Sequence, residues 1–283
     1  PSVSAPPRTA MPHADLHMHT TFSDGQLTPE ALAQKVKQRQ IEVFAVTDHD
    51  TIAGWDEVQA AAAAHGLTTV PGVELSVHVG DREVHLLGYG FAPGDAGLQA
   101  HLAHMVEVRK ERMHEIVDRL NNIDIRIDTE RVAAIAGSDA AFGRPHVAQA
   151  LVEHGAVPTF DEAFERYIGR GQPAYVAKPK TPADKVLAVL HDAGGIGVLA
   201  HPGQWMSGTL LRRLIRAGLD GIEVDHPSHT DALQAYYRRL ADDFGLLQTG
   251  GSDYHGHHTN GEKRLGAYGL SRRQWGRLAD EAG

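Results

Sequence analysis

Cysteine is absent from the 283 residues, which excludes disulfide scaffolds, thiolate zinc sites and cysteine nucleophiles. A metal bound here has to be held by His, Asp and Glu. No apolar run reaches the ~18 residues of a membrane span, and the opening PSVSAPPRTA lacks the basic start and apolar centre of a secretory signal. These absences predict a soluble, cytoplasmic protein without a membrane or protein partner, carrying a disordered tail over residues 1–10. Positive charge is also short: 27 Lys and Arg face 36 Asp and Glu, a net charge of -9. That balance argues against a broad grip on nucleic-acid backbones and leaves room only for a local basic pocket. Low-complexity sequence is confined to the alanine run at 60–64, and no internal repeat is stronger than a βα alternation.

What is present suits one compact domain, or a domain carrying an insertion, with 42% hydrophobic and 22% charged residues. ADLHMHT reads as a strand with Asp15, His17 and His19 on one face. TPEALAQKVKQRQ reads as an amphipathic helix, with Thr28 as N-cap, Pro29 at the first helical position and Leu32 and Val36 on one side. IEVFAVTDHD is a buried strand ending in polar residues, and WDEVQAAAAAHG is a helix stopped by Gly66. The grammar returns in TPADKVLAVLHDAGG then IGVLAHPG, in LLRRLIRAG then LDGIEVDHPSH, and in DALQAYYRRLADDFG then LLQTGGSDYHG. Repeated βα units predict a parallel α/β sheet, open or closed into a barrel. Between about Gly94 and Tyr167 the pattern turns helical, with an apolar stripe of Leu98, Leu102, Met105, Val106, Met113, Ile116, Val117 and Leu120. The expected organisation is a barrel over 11–93 and 168–283, interrupted by a helical subdomain over 94–167 that forms a lid or wall.

Metal-capable side chains fall at the ends of these strands. His17 and His19 close the first, Asp24 lies in the following loop, and His49 follows the second. Glu74 sits in VPGVELSV and His85 in DREVHLLGYG; His201 ends GVLAH, and Asp253 and His255 follow LQTGG. Carboxyl ends of strands are where a barrel gathers its active site, so residues scattered in sequence are expected to converge. Imidazoles and carboxylates without thiolates favour manganese, iron or zinc.

With DLHMHTTFSDG, AVTDHDT, GVELS, HLLGY, LAHPG and GSDYHG in this order over most of the chain, the sequence resembles the polymerase-and-histidinol-phosphatase (PHP) family of metal-dependent phosphoesterases. The resemblance implies a distorted (β/α)7 barrel with a trinuclear metal centre, manganese being the first expectation. Carried over by position, it gives one metal to His17, His19, Glu74 and Asp253, a second to Glu74, His85 and His201, and a third to Asp24, His49 and His255. Glu74 then bridges the first two. Such a centre, less its carboxylates and a hydroxide, keeps a surplus of about two positive charges to meet a phosphate dianion. The expected reaction is attack of a metal-bridging hydroxide on phosphorus, without a side-chain nucleophile.

The branch of the family with a helical insertion implies removal of the 3'-phosphate from nucleoside 3',5'-bisphosphates, or trimming of short RNA from the 5' end. Two phosphates need two positive stations. Arg144 in GRPHVAQALVEHG, before a helix N-terminus, and Arg170 in ERYIGRGQPAYV are the candidates for the second, with Arg144 also offering electrostatic help to catalysis. Their structural alternatives are a helix-start salt bridge and a surface turn; Lys178 reads as solvated. His226 and His229 at a strand end are candidates to line the pocket, His229 as a substrate contact. His146 orients Arg144 or caps its helix. His101, His104 and His114 read as solvated or capping on the long helix, and His257 and His258 either reach the site or decorate a loop. Asp15, Asp48 and Asp50 either support metal-binding imidazoles or form turns and caps. Histidinol-phosphate hydrolysis is a rival within the family, and a non-catalytic PHP binding module is the rival outside enzymology.

Overall fold

The computed structural model describes residues 12–137, 141–204, 206–256 and 261–282. The tail expected over 1–10, and His257 and His258, lie outside the described residues.

The chain begins with β1 (Ala14–Met18), buried at every position, and β2 (Val43–Val46), equally buried and parallel to it. Two short residues, Thr68–Thr69, extend this sheet as β3. Helix α1 (Pro29–Gln38) joins the first two strands. The Thr28 hydroxyl accepts from the Ala31 amide at 3.3 Å, Pro29 occupies the first turn, and Leu32, Ala33 and Val36 are buried. A cap of this kind is worth about 1 kcal/mol, and truncating Leu32 to Ala in this packed layer costs about 2–5 kcal/mol. Helix α2 (Trp55–His65) packs beside α1 and ends at Gly66.

The second sheet runs β4 (Gly72–Val79), β5 (Arg82–Tyr89), β6 (Ile196–Leu199), β7 (Gly221–Asp225) and β8 (Leu247–Gly250), in that spatial order. It departs from the expected all-parallel arrangement, because β5 is antiparallel to both β4 and β6. The cause is local. Only Gly80 and Asp81 connect β4 to β5, with Gly80 at φ +65°, and a two-residue link cannot make the long crossover that parallel strands require. From β6 onward the parallel grammar holds.

The two sheets meet along both edges. His49 bridges to Glu74 on one side and Met18 to Tyr254 on the other. Between them lies a shared apolar layer to which Ala14, Leu16, Val43, Leu87, Tyr89 and Val198 contribute, and the Tyr89 hydroxyl donates to the Leu16 carbonyl at 2.7 Å across it. A second layer covers the outer face of β4–β8 with α7 (Ala183–Asp192), α8 (Gly208–Arg216) and α9 (Asp231–Phe244).

Between β5 and α7 the chain is helical: α3 (Ala96–Asn121), α4 (Thr129–Ala136), α5 (Arg144–Glu153) and α6 (Phe160–Ala163), the last running into a π turn over Phe164–Ile168. These elements bury their own cluster around Met113, Ile116, Leu120, Val147, Leu151 and Ile168. The apolar stripe on α3 is as expected except that Val108 is buried and Val106 only half-buried. The same stripe carries Arg109 and Arg112, 4% and 7% exposed. Among the described residues, no helix is long and apolar enough to cross a membrane.

Candidate metal centre and the charge around it

Side chains proposed from widely separated motifs come together at the edge where the sheets meet. His17 lies in β1 and His19 just beyond it; His49, His201, Asp253 and His255 follow β2, β6 and β8. Glu74 and His85 differ from the expectation of strand ends, since both sit within the β4–β5 hairpin. The antiparallel turn that sequence reading overlooked is what places them in mid-strand.

Glu74 is the hub. Its Oε2 lies 3.2 Å from His17 Nε2, from His19 Nε2 and from His49 Nδ1, while its Oε1 lies 2.7 Å from His85 Nδ1 and 2.9 Å from His201 Nε2. Asp253 Oδ1 stands 3.4 Å from His17 Nε2 and 3.5 Å from His19 Nε2. Asp24 faces His255 Nε2 at 3.3 Å through one oxygen and His49 Nε2 at 3.7 Å through the other. Potential ligand atoms within 4.8 Å of one another include the sets His19–Asp24–His49–His255, His17–His19–Asp253, His17–Glu74–His201 and His49–Glu74–His85.

The donor set fits a divalent metal. His19 Nε2 and His49 Nδ1 are buried without a hydrogen-bond partner, a costly state for polar atoms unless a ligand takes their lone pairs. Burial opposes the charge of Glu74, yet His49, His85 and His17 hold its carboxyl well below the usual range. Burial likewise opposes Asp24 and Asp253, and facing imidazoles keep both ionised. Burial drives His49 well below its ordinary value, against the pull of Glu74 and Asp24. His201, Asp253 and Asp50 adopt positive φ of 26°, 50° and 53°, a backbone state that non-glycine residues adopt chiefly where the surroundings enforce it. Behind them Gly251 approaches so closely that a Cβ there would stand 2.4 Å from the Cβ of His17.

A second tier supports these side chains. Glu223, fully buried in β7, accepts from His17 Nδ1 at 3.0 Å through Oε1 and from the His201 amide at 2.8 Å through Oε2. Sequence reasoning passed over it, although a lone carboxylate between Ile222 and Val224 in a buried strand was the signal. No hydrogen bond joins Asp15, Asp48 or Asp50 to a ligand imidazole among the described residues. Asp15 accepts from the Ser252 amide at 2.9 Å, and burial pushes its carboxyl up to about 7. Asp48 accepts from the Thr20 amide at 2.8 Å and from the Thr20 and Ser23 hydroxyls at 2.5 Å each, a turn-forming role. His226 Nδ1 accepts from the Ser228 amide at 3.0 Å, and its buried Nε2, without a hydrogen-bond partner, stands 3.4 Å from Asp253 Oδ2. His229 Nδ1 pairs with the Val224 carbonyl at 2.9 Å and its Nε2 accepts from the Gly203 amide at 3.1 Å. His146 Nδ1 accepts from the Gly143 amide and so caps α5. His104 and His114 are exposed.

Beside the metal ligands lies a cluster of opposite sign. Arg109 meets Asp50 Oδ2 with both Nε, at 2.7 Å, and Nη2, at 2.6 Å, and also donates to Ser76 Oγ and the Phe142 carbonyl. Lys178, expected to be solvated, has an 8% exposed side chain that pairs with Glu83 at 2.7 Å and donates to Ser76 Oγ at 2.7 Å. Non-local pairing overrides the polar-loop expectation for it. Arg112 donates to the Val176 carbonyl at 2.8 Å, and burial, then the nearby Arg144, lowers it to about 10. Arg144 is half-buried, its guanidinium 5.5 Å from the Phe164 ring and 5.7 Å from the Tyr175 ring. Arg170 is exposed, with no hydrogen bond or ion pair to the described residues. Four cations thus stand against the two carboxylates Asp50 and Glu83, the latter drawn to about 2 against burial by Lys178. The spacing of Leu98, Leu102, Met105, Arg109, Arg112 and Ile116 on α3 was legible as a buried face that includes two arginines.

A profile described as the PHP domain matches residues 15–193. The chain is 35% identical over 246 residues to a Haemophilus influenzae protein named 5'-3' exoribonuclease, covering 85% of this chain and 89% of that one. It is 35% identical over 250 residues to a Chromobacterium violaceum protein named 3',5'-nucleoside bisphosphate phosphatase, covering 87% and 88%. Among solved structures, a Bifidobacterium adolescentis protein assigned as a metal-dependent phosphoesterase superposes with a TM-score of 0.88 at 32% identity, covering 95% of this chain and 96% of that one.

Proposed function

The chain belongs to the PHP family and is a metal-dependent phosphoesterase; from that premise we propose that it removes the 3'-phosphate from nucleoside 3',5'-bisphosphates to give the 5'-nucleotide. The observation that carries this reading is the surplus of buried positive charge beside the metal ligands. Arg109, Arg112, Arg144 and Lys178 exceed Asp50 and Glu83 by about two charges, which suits a second phosphate dianion. A substrate with one phosphate, such as histidinol phosphate, leaves that surplus unmet. Arg170, exposed, takes no part in this reading, and Arg144 acts within the cluster.

In the same reading His17, His19, Glu74 and Asp253 hold one ion, Glu74, His85 and His201 a second, and Asp24, His49 and His255 a third, with manganese favoured. Bound there, such ions supply Lewis-acid polarisation of the phosphoryl group and lower the pKa of water. The protein's own contribution is positional. Glu223 fixes the His17 ring by its Nδ1 and ties down the backbone at His201; Asp253 faces His17 and His19 through Oδ1 and His226 through Oδ2. Arg109 and Lys178 converge on Ser76, two residues along β4 from Glu74, and orient the second phosphate relative to the first. The two sheets are then the sides of one distorted (β/α)7 barrel, and residues 94–167 an insertion that walls the site, in a protein of the cytoplasm.

The test is phosphate release by purified protein in manganese, comparing a nucleoside 3',5'-bisphosphate with histidinol phosphate. Faster turnover of the bisphosphate, abolished in His17→Ala, is the expected result. No release from the bisphosphate, or an unchanged rate in His17→Ala, overturns the reading.

A further inference from the structure

A cavity of about 540 Å³ opens beside the metal ligands, a volume within the range of small-molecule sites. Its lining runs from Asp24 and His255 to Phe160 and Phe164. Phe160 opens α6 and Phe164, four residues on, begins the π turn, so the two rings stand on one side of the same segment. Phe164 also borders the cationic cluster, its ring centroid 5.5 Å from the Arg144 guanidinium. The cavity therefore adjoins both stations proposed for the two phosphates. Two further groups line it: Asp161, in α6 beside Phe160, and Arg264, which ends the short helix α10 (Gly261–Arg264). Asp161 is exposed and Arg264 half-buried. Their side chains carry opposite charge, yet neither makes a hydrogen bond or an ion pair among the described residues. Neither belongs to the metal ligands or to the cationic cluster.

We propose that this cavity receives the nucleobase of the substrate and selects guanine, with Arg264 reading its acceptor edge and Asp161 its donor edge. The inference rests on the bisphosphate reading for the nucleoside and goes beyond it by naming the base. The base and the 3'-oxygen belong to one ribose, so a 3'-phosphate at the metal ligands brings the base to the cavity that adjoins them. Against Phe160 and Phe164 every base gains stacking energy, with little discrimination. Discrimination falls to the two charged groups. A guanidinium has donors only and a carboxylate acceptors only, so a ligand that satisfies both presents acceptors on one edge and donors on another. Guanine does so: O6 and N7 accept a guanidinium fork, and N1–H and the N2 amino group donate in parallel to a carboxylate. Adenine reverses both edges. Its N6 amino group turns a donor toward the guanidinium, and its N1 turns an acceptor toward the carboxylate. Uracil and cytosine have no N7 to accept from Arg264 and a smaller ring to stack.

Two measurements test this. The first is kcat/KM in manganese for the 3',5'-bisphosphates of guanosine, adenosine, cytidine and uridine. The second is calorimetric binding of guanosine and adenosine 5'-monophosphate, which needs no turnover. Guanosine is expected to exceed adenosine about ten-fold or more in both. Arg264→Met and Asp161→Ala are each expected to bring the guanosine and adenosine substrates within about three-fold of one another. That ratio is independent of the fraction of protein folded, so a loss of stability in either variant leaves it readable. Equal kcat/KM for the guanosine and adenosine substrates in the wild type, or a guanosine preference unchanged in both variants, overturns the proposal. A protein that hydrolyses none of the four bisphosphates but binds guanosine 5'-monophosphate ten-fold more tightly than adenosine 5'-monophosphate overturns the bisphosphate reading and upholds this one. No hydrolysis and equal binding overturns both.

Discussion

The metal ligands and the cationic cluster are both buried, both charged and neighbours through Asp50 and Ser76, yet they are built in opposite ways. The first gathers carboxylates and imidazoles from loops and a hairpin, each announced by a short motif. The second gathers Arg109 and Arg112 from one helix face, Arg144 from the start of another helix and a lysine from a distant loop, and of these only Arg144 stands out in the sequence. Negative charge in the first is offset by imidazoles within it; positive charge in the second is offset only in part, by Asp50 and Glu83. A site that neutralises itself can wait for its cation, whereas a site with surplus charge calls for an external anion.

The hardest blow to this contrast is Arg109→Met. It leaves Asp50 buried without its partner, at a cost of about 3–5 kcal/mol, which in a protein of this size lowers the melting temperature by roughly 10 °C. Calorimetry and metal analysis check it together: the expected outcome is a destabilised protein that still binds metal. Glu223→Gln acts on the other side. Metal affinity, read by titration, is expected to weaken about ten- to hundred-fold, with the affinity for inorganic phosphate at the cations unchanged. The smallest effect sharpens the contrast most. Lys178→Met is expected to raise KM for a nucleoside 3',5'-bisphosphate about ten-fold and to leave a nucleoside 3'-monophosphate unaffected, because that substrate has no 5'-phosphate. Equal effects on both substrates mean that Lys178 serves the hairpin rather than a second phosphate.

Much of this was legible before any coordinates. The alternation of βα units, the helical stretch after Gly94 and the convergence of His17, His19, Asp24, His49, Glu74, His85, His201, Asp253 and His255 all follow from local pattern and motif order. What escaped depends on partners far away in sequence. Glu223 lies 206 residues from the imidazole it holds, and Lys178 lies 102 from Ser76; neither carries a local mark of its role. The antiparallel β5 was signalled by Gly80–Asp81 but was hidden by the regularity of the units that follow. Arg109 and Arg112 were read past because charge at a core position of an amphipathic helix contradicts the rule used to find that helix. His229, legible as a candidate from its place at a strand end, has a structural contact the sequence does not mark: it fastens the loop after β6 through Gly203.

One guanidinium deserves a last physical consequence. Arg109 grips Asp50, Ser76 and the Phe142 carbonyl at once, so it fastens residues 141–143 to two segments, residues 48–50 and β4, that backbone hydrogen bonds already join. Opening any one of them exposes a charge to the interior of the other two. Residues 48–51, the middle of β4 and residues 141–143 should therefore unfold and close as one cooperative unit. Their amide protons are expected to exchange at a common free energy in native-state hydrogen exchange, and in Arg109→Met those of residues 141–143 to separate from those of the other two segments.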